Sequence, residues 1–418
     1  MGLLTRAWKK LSDTDALRLS SGYYETAFYE PVYRVAYLVG LSSLDRSVSY
    51  LVYSAVVKMM IGMFIGGELW FVCTESLSLD EIASSINVIV IQMTMMLKLK
   101  NLVEHKDIYR RLATSMESPY FDIRTEKRRQ IFEHWVKTHE RTLKFLLFLG
   151  NGSLAAWYIH PLIDEFEYNL MVGLRLPFSF DTPLRYLCTY VIVLIAFNYT
   201  AHYVMVTDLI MQSYLIPLIC QYAVLADCFE NILIDCSNDY GDHDMEMHER
   251  SSDPAFIRIY MKRLSNLVEQ HSFLLDRSME LRAILSRPML GQLASSGLLI
   301  CFVGYQATTS ISVNIVKCLM SLFYLGYNMF TLFVVCRWCE EITNKSLNIG
   351  NAVYCSGWES GMTVVPTVRS TILLVILRAN KPIVFTAGGM YNLSLTSYTS
   401  LVKGSYSALT FLLRIQHE

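Results

Sequence analysis

Charge is scarce in this chain. Of its 418 residues, 17% are Asp, Glu, Lys or Arg, where a soluble domain carries about 25%. Beside 53% apolar residues, that shortage excludes a string of soluble domains and points to an integral membrane protein. The two signs nearly cancel, 36 basic residues against 37 acidic, so the composition calls for no nucleic-acid partner. Catalytic signatures are missing too: there is no P-loop, no G-x-G-x-x-G after a strand, no H-E-x-x-H and no G-x-S-x-G elbow. Histidines and carboxylates scatter over the polar connections without the convergence an active site requires. Neither an enzyme nor a cofactor is expected.

The ten cysteines form no framework. Cys336 and Cys339 make a C-x-x-C near the inner end of an apolar helix, but without a second pair they read as buried structural residues. Cys73, Cys188 and Cys318 fall toward the outer face, where a disulfide stays open. His243 and His248 sit in a polar acidic loop without a ligand set, so no metal is expected. The opening "MGLLTRAWKK" lacks an apolar run before a cleavage site, so no signal peptide is expected. Arg6 also stands where a myristoylation motif at Gly2 needs Ser or Thr. The sequons at Asn151, Asn198 and Asn392 lie in or beside apolar runs, which argues against glycans.

Long apolar runs are what the chain does have. A spanning helix needs roughly 20 mostly apolar residues. Six such runs stand at about 47–72, 79–99, 143–163, 186–212, 289–313 and 317–339, with a weaker seventh at about 394–415. Lys58, Glu68, Asp208, Asn314 and Asn328 interrupt or border them. Such groups are costly against lipid and usually face a bundle interior or a wet cavity, so an all-α bundle around a cavity is expected.

Lys and Arg set the orientation. Arg6, Lys9, Lys10, Arg18, Arg34 and Arg46 precede the first run, and the connection 73–78 has no basic residue. The connection between runs two and three is heavily basic, including Arg110, Arg111, Arg124, Lys127, Arg128 and Arg129; the next holds only Arg175 and Arg185. The N-terminus is therefore placed in the cytosol and, with seven spans, the C-terminus outside. A G-protein-coupled receptor has the opposite orientation. Helical spacing of Ile131, Phe132, Trp135, Leu143 and Leu146, and of Phe256, Ile259, Leu264, Leu267, Phe273 and Leu274, predicts cytosolic extensions of spans three and five.

The seventh run, "SLTSYTSLVKGSYSALTFLLRI", is a poor lipid-facing segment. Ser397, Ser400, Gly404, Ser407, Phe411 and Arg414 follow three- and four-residue steps along one face, opposed by Leu395, Tyr398, Val402, Leu409 and Leu413. Small residues for tight packing explain Gly404 and the serines, but explain Lys403 and Arg414 poorly. The wall of a water-filled pore explains both sets better.

The last 75 residues or so carry a more specific pattern. Ser346, Ala352, Tyr354 and Trp358 lead to a basic helix ending at Pro382. Thr386, Ala387, Gly388 and Gly389 follow, then Ser394–Leu395 and Ser405–Tyr406–Ser407. This arrangement resembles the C-terminal signature of insect odorant receptors. Gustatory receptors share the architecture, but the Thr-Tyr and Gln-Phe of their final helix are missing here.

The resemblance implies seven transmembrane helices, a cytosolic N-terminus, an extracellular C-terminus and helices extended into a cytosolic anchor domain. It divides the chain into an N-terminal segment (1–46), spans one to six with their extensions (47–340), an anchor helix (341–381), and a turn with a pore helix (382–418). Tyr354, Trp358, Pro382, Gly388 and Gly389 would serve the anchor and hinge, and Ser400, Gly404, Ser407, Phe411 and Arg414 would line the pore. It further implies an odorant-gated cation channel in the plasma membrane of olfactory neuron dendrites. The channel would be a tetramer of tuning subunits and a common co-receptor, lipid-embedded and without need of a G protein.

An apolar cavity in the outer half would take a small neutral volatile, aromatic or heterocyclic. Outer-half positions nominate Ile82, Ile86, Gly150, Ser153, Leu154, Trp157, Tyr190, Leu194, Thr308, Phe323, Tyr324 and Tyr327, although plain packing accounts for any one of them equally well. A homomeric gustatory-type channel stays open as an alternative. A secondary transporter should show repeat-related halves, and none is seen.

Overall fold

The computed structural model describes residues 10–20, 22–42, 44–74, 79–163, 170–178, 182–241, 253–310, 315–359 and 361–417. After a single helical turn at Asp15–Arg18 come α1 (Tyr23–Leu38), α2 (Val48–Thr74), α3 (Leu79–Glu104), α4 (Lys106–Thr114), α5 (Glu126–Ile163), α6 (Pro183–Ser213), α7 (Leu215–Glu230) and α8 (Ile232–Tyr240). They are followed by α9 (Pro254–Ser310), α10 (Ile315–Tyr354), α11 (Pro366–Ala379), the short pair β1 (Thr386–Ala387) and β2 (Tyr391–Asn392), and α12 (Leu395–His417). His243 and His248 lie outside the described residues.

Helix length separates the chain into two layers. At about 1.5 Å per residue, the 57 residues of α9 reach roughly 85 Å, far beyond the ~30 Å apolar core of a bilayer. The 40 residues of α10 and 38 of α5 also overshoot it. Their inner halves leave the membrane and bundle with α1, α4, α7, α8 and α11. Pro217 explains why α7 is separate from α6: it has no N–H to donate to the Ser213 carbonyl, and α6 ends there.

Among the described residues, five segments are long and apolar enough to cross a membrane: Val48–Thr74, Ser85–Glu104, Pro183–Glu230, Pro254–Thr308 and Cys318–Tyr354. The outer part of α5 and the hydroxyl-rich α12 are more polar and lie against them, α5 on α6 and α10, α12 on α9 and α10. The expected boundary at 340/341 falls inside α10, which runs unbroken to Tyr354. The segment 341–381 is thus the end of α10, a 3-10 turn at Met362–Val364, and α11.

The large hydrophobic core sits in the inner layer. Phe28, Trp135, Tyr222, Phe256, Cys336, Cys339, Ile342, Ile372 and Phe385 all belong to it, and nearly every side chain of α7 is buried. Water explains the location: apolar burial stabilises by roughly 25 cal/mol per Å² against water, whereas helices in lipid gain no such drive. In the outer layer α2 and α6 instead expose Leu51, Val52, Met63, Leu187 and Ile192. Lys58 is exposed on α2 as well, contrary to the expectation of an interior position. A long ammonium side chain can reach toward the interface from there.

Arg128 of α5 ties the inner layer together. Only 1% exposed, it donates from Nε to Asp227 of α7 at 2.8 Å, from Nη2 to Asp235 of α8 at 2.7 Å, and from Nη1 to Asp122 ahead of α5 at 3.2 Å. Arg263 of α9 joins Asp122 and Asp235 from the other side.

The segment 385–393 doubles back as a hairpin, with Thr386 opposite Asn392 and Ala387 opposite Tyr391. Gly388 and Gly389 have φ of +60° and +75°, where a side chain is strained. At Gly388 a Cβ would also stand 2.6 Å from Leu290 Cδ2, because its N–H donates to the Ser286 carbonyl of α9 at 2.8 Å. The hairpin is therefore clamped to α9, and its exit is set by Glu340 of α10, whose Oε2 accepts from the first N–H of α12 at 2.7 Å.

Candidate functional site

α3, α5, α6 and α10 line a cavity in the membrane-spanning half. Gly150 permits the close approach of α5 to α6: a Cβ there would stand 2.1 Å from Met205 Sδ. One and two turns further out, Ser153, Leu154 and Trp157 continue the same wall. Val88, Ile91 and Gln92 of α3 close one side, and Tyr324 and Tyr327 of α10 another. From α6 come Phe197, Thr200, Ala201, Val204 and Met205. The cavity measures about 70 Å³ in space open to the centre of a water molecule; one water needs ~10–15 Å³ on that scale.

Trp157 is its dominant surface. The indole packs tilted on Phe197 at 5.5 Å and edge-on to Tyr324 at 6.2 Å. It also lines a second, outer chamber of about 140 Å³, bounded by Glu68, Ser85, Leu170, Met171, Gly173, Gln306 and Met320. A crevice flanked by Asn87 and Ser321 lies between the two, again against Trp157. The inner end is polar: the Tyr327 phenol faces Asp208, which accepts from Lys98 in a buried ion pair. Lys98 also donates to Gln292 of α9, and Gln292 donates to Ser296 at 3.3 Å.

Of the twelve nominated ligand positions, Gly150, Ser153, Leu154, Trp157, Tyr324 and Tyr327 meet on this wall. Tyr190 instead donates to the Tyr158 carbonyl at 3.2 Å, and Leu194 packs at the margin of the neighbouring apolar cluster. Thr308 is exposed and donates to the Gly304 carbonyl, Phe323 is exposed, and Ile86 is half-buried off the wall. The side chain of Ile82 lies outside the described residues. α6 adds Phe197, Thr200, Ala201, Val204 and Met205 to the nominated positions, and these recur at helical spacing on the face that Tyr190 and Leu194 begin.

On α12, Ser400, Gly404, Ser407, Phe411 and Arg414 all lie exposed. The opposite face packs inward, with Tyr398 against Phe333 at 5.7 Å and Leu409 over Gly304. Tyr354 is exposed at the end of α10 and Pro382 before the hairpin, while Trp358 is half-buried. No cluster able to hold a metal occurs among the described residues.

A family model described as 7tm Odorant receptor matches residues 78–406. Among curated proteins, Odorant receptor 82a of Drosophila melanogaster is 29% identical over 154 residues, which is 37% of this chain and 39% of that protein. Odorant receptor Or2 of Anopheles gambiae is 25% identical over 152 residues, 36% of this chain and 39% of that one. These alignments thus span about two fifths of the relatives' length. The olfactory receptor OR5 of Machilis hrabei, solved in complex with eugenol, superposes with a TM-score of 0.76 over 94% of this chain and 100% of that one. At 15% identity that likeness concerns the fold.

Proposed function

Since the chain belongs to the insect odorant receptor family, we propose that it is a tuning subunit of an odorant-gated cation channel. The ligand occupies the Trp157 cavity, and the pore is shared with the family's co-receptor in a heteromeric tetramer at the plasma membrane of olfactory neuron dendrites. One observation carries the ligand half of this reading. A concave, mostly apolar, aromatic-walled cavity with few polar groups, set among the helices of the bundle, is the form that small-molecule sites take. A neutral volatile, aromatic or heterocyclic, suits the ring faces and edges of Trp157, Phe197 and Tyr324.

The channel half rests on α10 and α12. The exposed face of α12 with Ser400, Gly404, Ser407, Phe411 and Arg414 forms the conduction path once subunits assemble. A complete ring of four Arg414 side chains would oppose cations, so the partner subunits supply neutral or acidic groups at that level. α10 links the halves as one rod. Tyr324 and Tyr327 touch the cavity, while Phe333 and Glu340, further along the same helix, hold the start of α12.

The test is current recording from cells expressing this chain with and without the co-receptor, across an odorant panel. Odorant-evoked cation current only with the co-receptor supports the reading; current from this chain alone favours the homomeric gustatory-type channel, and none in either case removes it. Within a responding system, Trp157→Ala should raise the half-maximal odorant concentration about 10- to 100-fold, the equivalent of ~1–3 kcal/mol of lost ring contact. Surface delivery should stay near normal. If delivery fails instead, Trp157 is a packing residue.

A further inference from the structure

The outer chamber contains polar groups that the reading above leaves unused. Glu68, in the outer part of α2, is 3% exposed, and neither carboxyl oxygen has a hydrogen-bond partner. Gln92 faces it, and the Gln92 Oε1 is unpartnered as well. Both amide atoms of Asn87 and the hydroxyl of Ser321, at the crevice beside Trp157, complete the set.

A buried polar group left unmade costs about 1–3 kcal/mol, more when it is charged, and native interiors leave few of them. Here several stand around adjoining spaces that share Trp157 as a wall. Counted with Glu68 as a neutral carboxyl, the set offers three oxygen acceptors, on Glu68, Gln92 and Asn87, beside the Glu68 O–H, the Asn87 amide N–H₂ and the Ser321 hydroxyl. A ligand O–H or N–H can pair with those acceptors, whereas an ether or N-alkyl group cannot.

We propose that the chamber beside Glu68 is a donor-accepting subsite, taking the O–H or N–H end of the odorant while its apolar ring lies against Trp157 and Tyr324. The ligand class is therefore a small alcohol, phenol or N–H heterocycle, in preference to an ether or N-alkyl analogue of the same shape. This rests on the receptor reading and narrows it. A site built to pair with a donor disfavours the analogue lacking it, because its own polar groups are then left buried and unpaired.

The experiment compares matched odorants on the full-length chain with its co-receptor: benzyl alcohol against benzyl methyl ether, and indole against N-methylindole. The donor member of each pair should act at concentrations at least about 10-fold lower. Glu68→Leu should compress that ratio to about 3-fold or less, by removing the acceptor that lines the chamber itself. Glu68→Gln, which keeps an acceptor of the same shape, should retain most of it. Gln92→Leu offers a second compression should Glu68→Leu fail to reach the surface.

A wild-type response blind to the donor, or a ratio untouched by both the Leu substitutions, overturns the subsite and leaves the receptor reading standing. In that outcome, water solvates Glu68. Silence toward every member of both pairs and toward a broad panel overturns the receptor reading, and the subsite with it.

Discussion

Arg128→Met is expected to destabilise the inner layer by about 3–5 kcal/mol and to empty the cell surface of this protein. The guanidinium is enclosed by Asp122, Asp227 and Asp235 from three different segments. Its removal leaves Asp122 and Asp235 to share Arg263, and Asp227 with only the exposed Lys127, so the buried side of the cluster loses its central counter-charge. Arg128→Lys keeps the charge but not the planar fork that serves three acceptors at once, and should fall between wild type and Met. Thermal melting of the detergent-solubilised protein, read beside surface labelling, measures both. Melting temperatures that agree within error would remove Arg128 from the forces holding the layer.

The cluster also sets a pH signature. Burial works against the Asp122 carboxylate, but hydrogen bonds from the side chain and backbone of Arg124, with the Arg263 charge, hold it well below the usual carboxylate range. A carboxylate held low contributes stability that is complete above its unfolded pKa of about 4 and is lost only as pH falls below that. His271 of α9 behaves differently. Burial first, then the charge of Arg378, pushes it down to about 4 from its ordinary 6.5. Between those values the unfolded chain binds a proton that the folded one does not, so stability falls as pH drops from about 6.5 toward 4. Melting temperature should therefore decline from pH 7 to 5 in wild type, and the slope should flatten in His271→Asn. An unchanged slope would remove His271 as its origin.

The second large effect lies within the membrane. Lys98→Met should cost about 3–5 kcal/mol, because Asp208 is then a buried charge without a partner. Lys98→Met combined with Asp208→Leu should recover most of that loss, since apolar replacement of a whole buried pair is often neutral or stabilising. Surface delivery of the two single variants and the double variant forms the cycle. Equal loss in all three would mean that the pair positions neighbours rather than neutralising charge. Recovery with an altered odorant threshold would follow from the contact between Asp208 and the Tyr327 phenol on the cavity wall.

The spanning helices are legible in the sequence because lipid demands length. The expected runs at 47–72 and 186–212 reappear as Val48–Thr74 and Pro183–Ser213. The cytosolic extensions are legible because apolar spacing of period 3.6 persists past the span. α7 is not: separated from α6 by one residue, it lies just beyond the expected run at 186–212, and nothing in that run marks it as a separate helix of the inner layer. Periodicity also assigns a face without a depth. Tyr190 and Leu194 share a face of α6 with Phe197 and Val204 but lie about one to four turns outward of them, away from the cavity. The Lys98–Asp208 pair joins positions 110 residues apart, and no local pattern announces it.

Placing the hydrophobic core in the inner layer has a consequence for how such a receptor can diverge. The residues that secure the fold, from Phe28 to Phe385, stand apart from those that line the Trp157 cavity. A substitution in the cavity wall therefore draws little on the reserve that keeps the chain folded. Ligand preference becomes a trait that point mutation can explore at low risk of misfolding, and new specificities become accessible without compensating changes elsewhere.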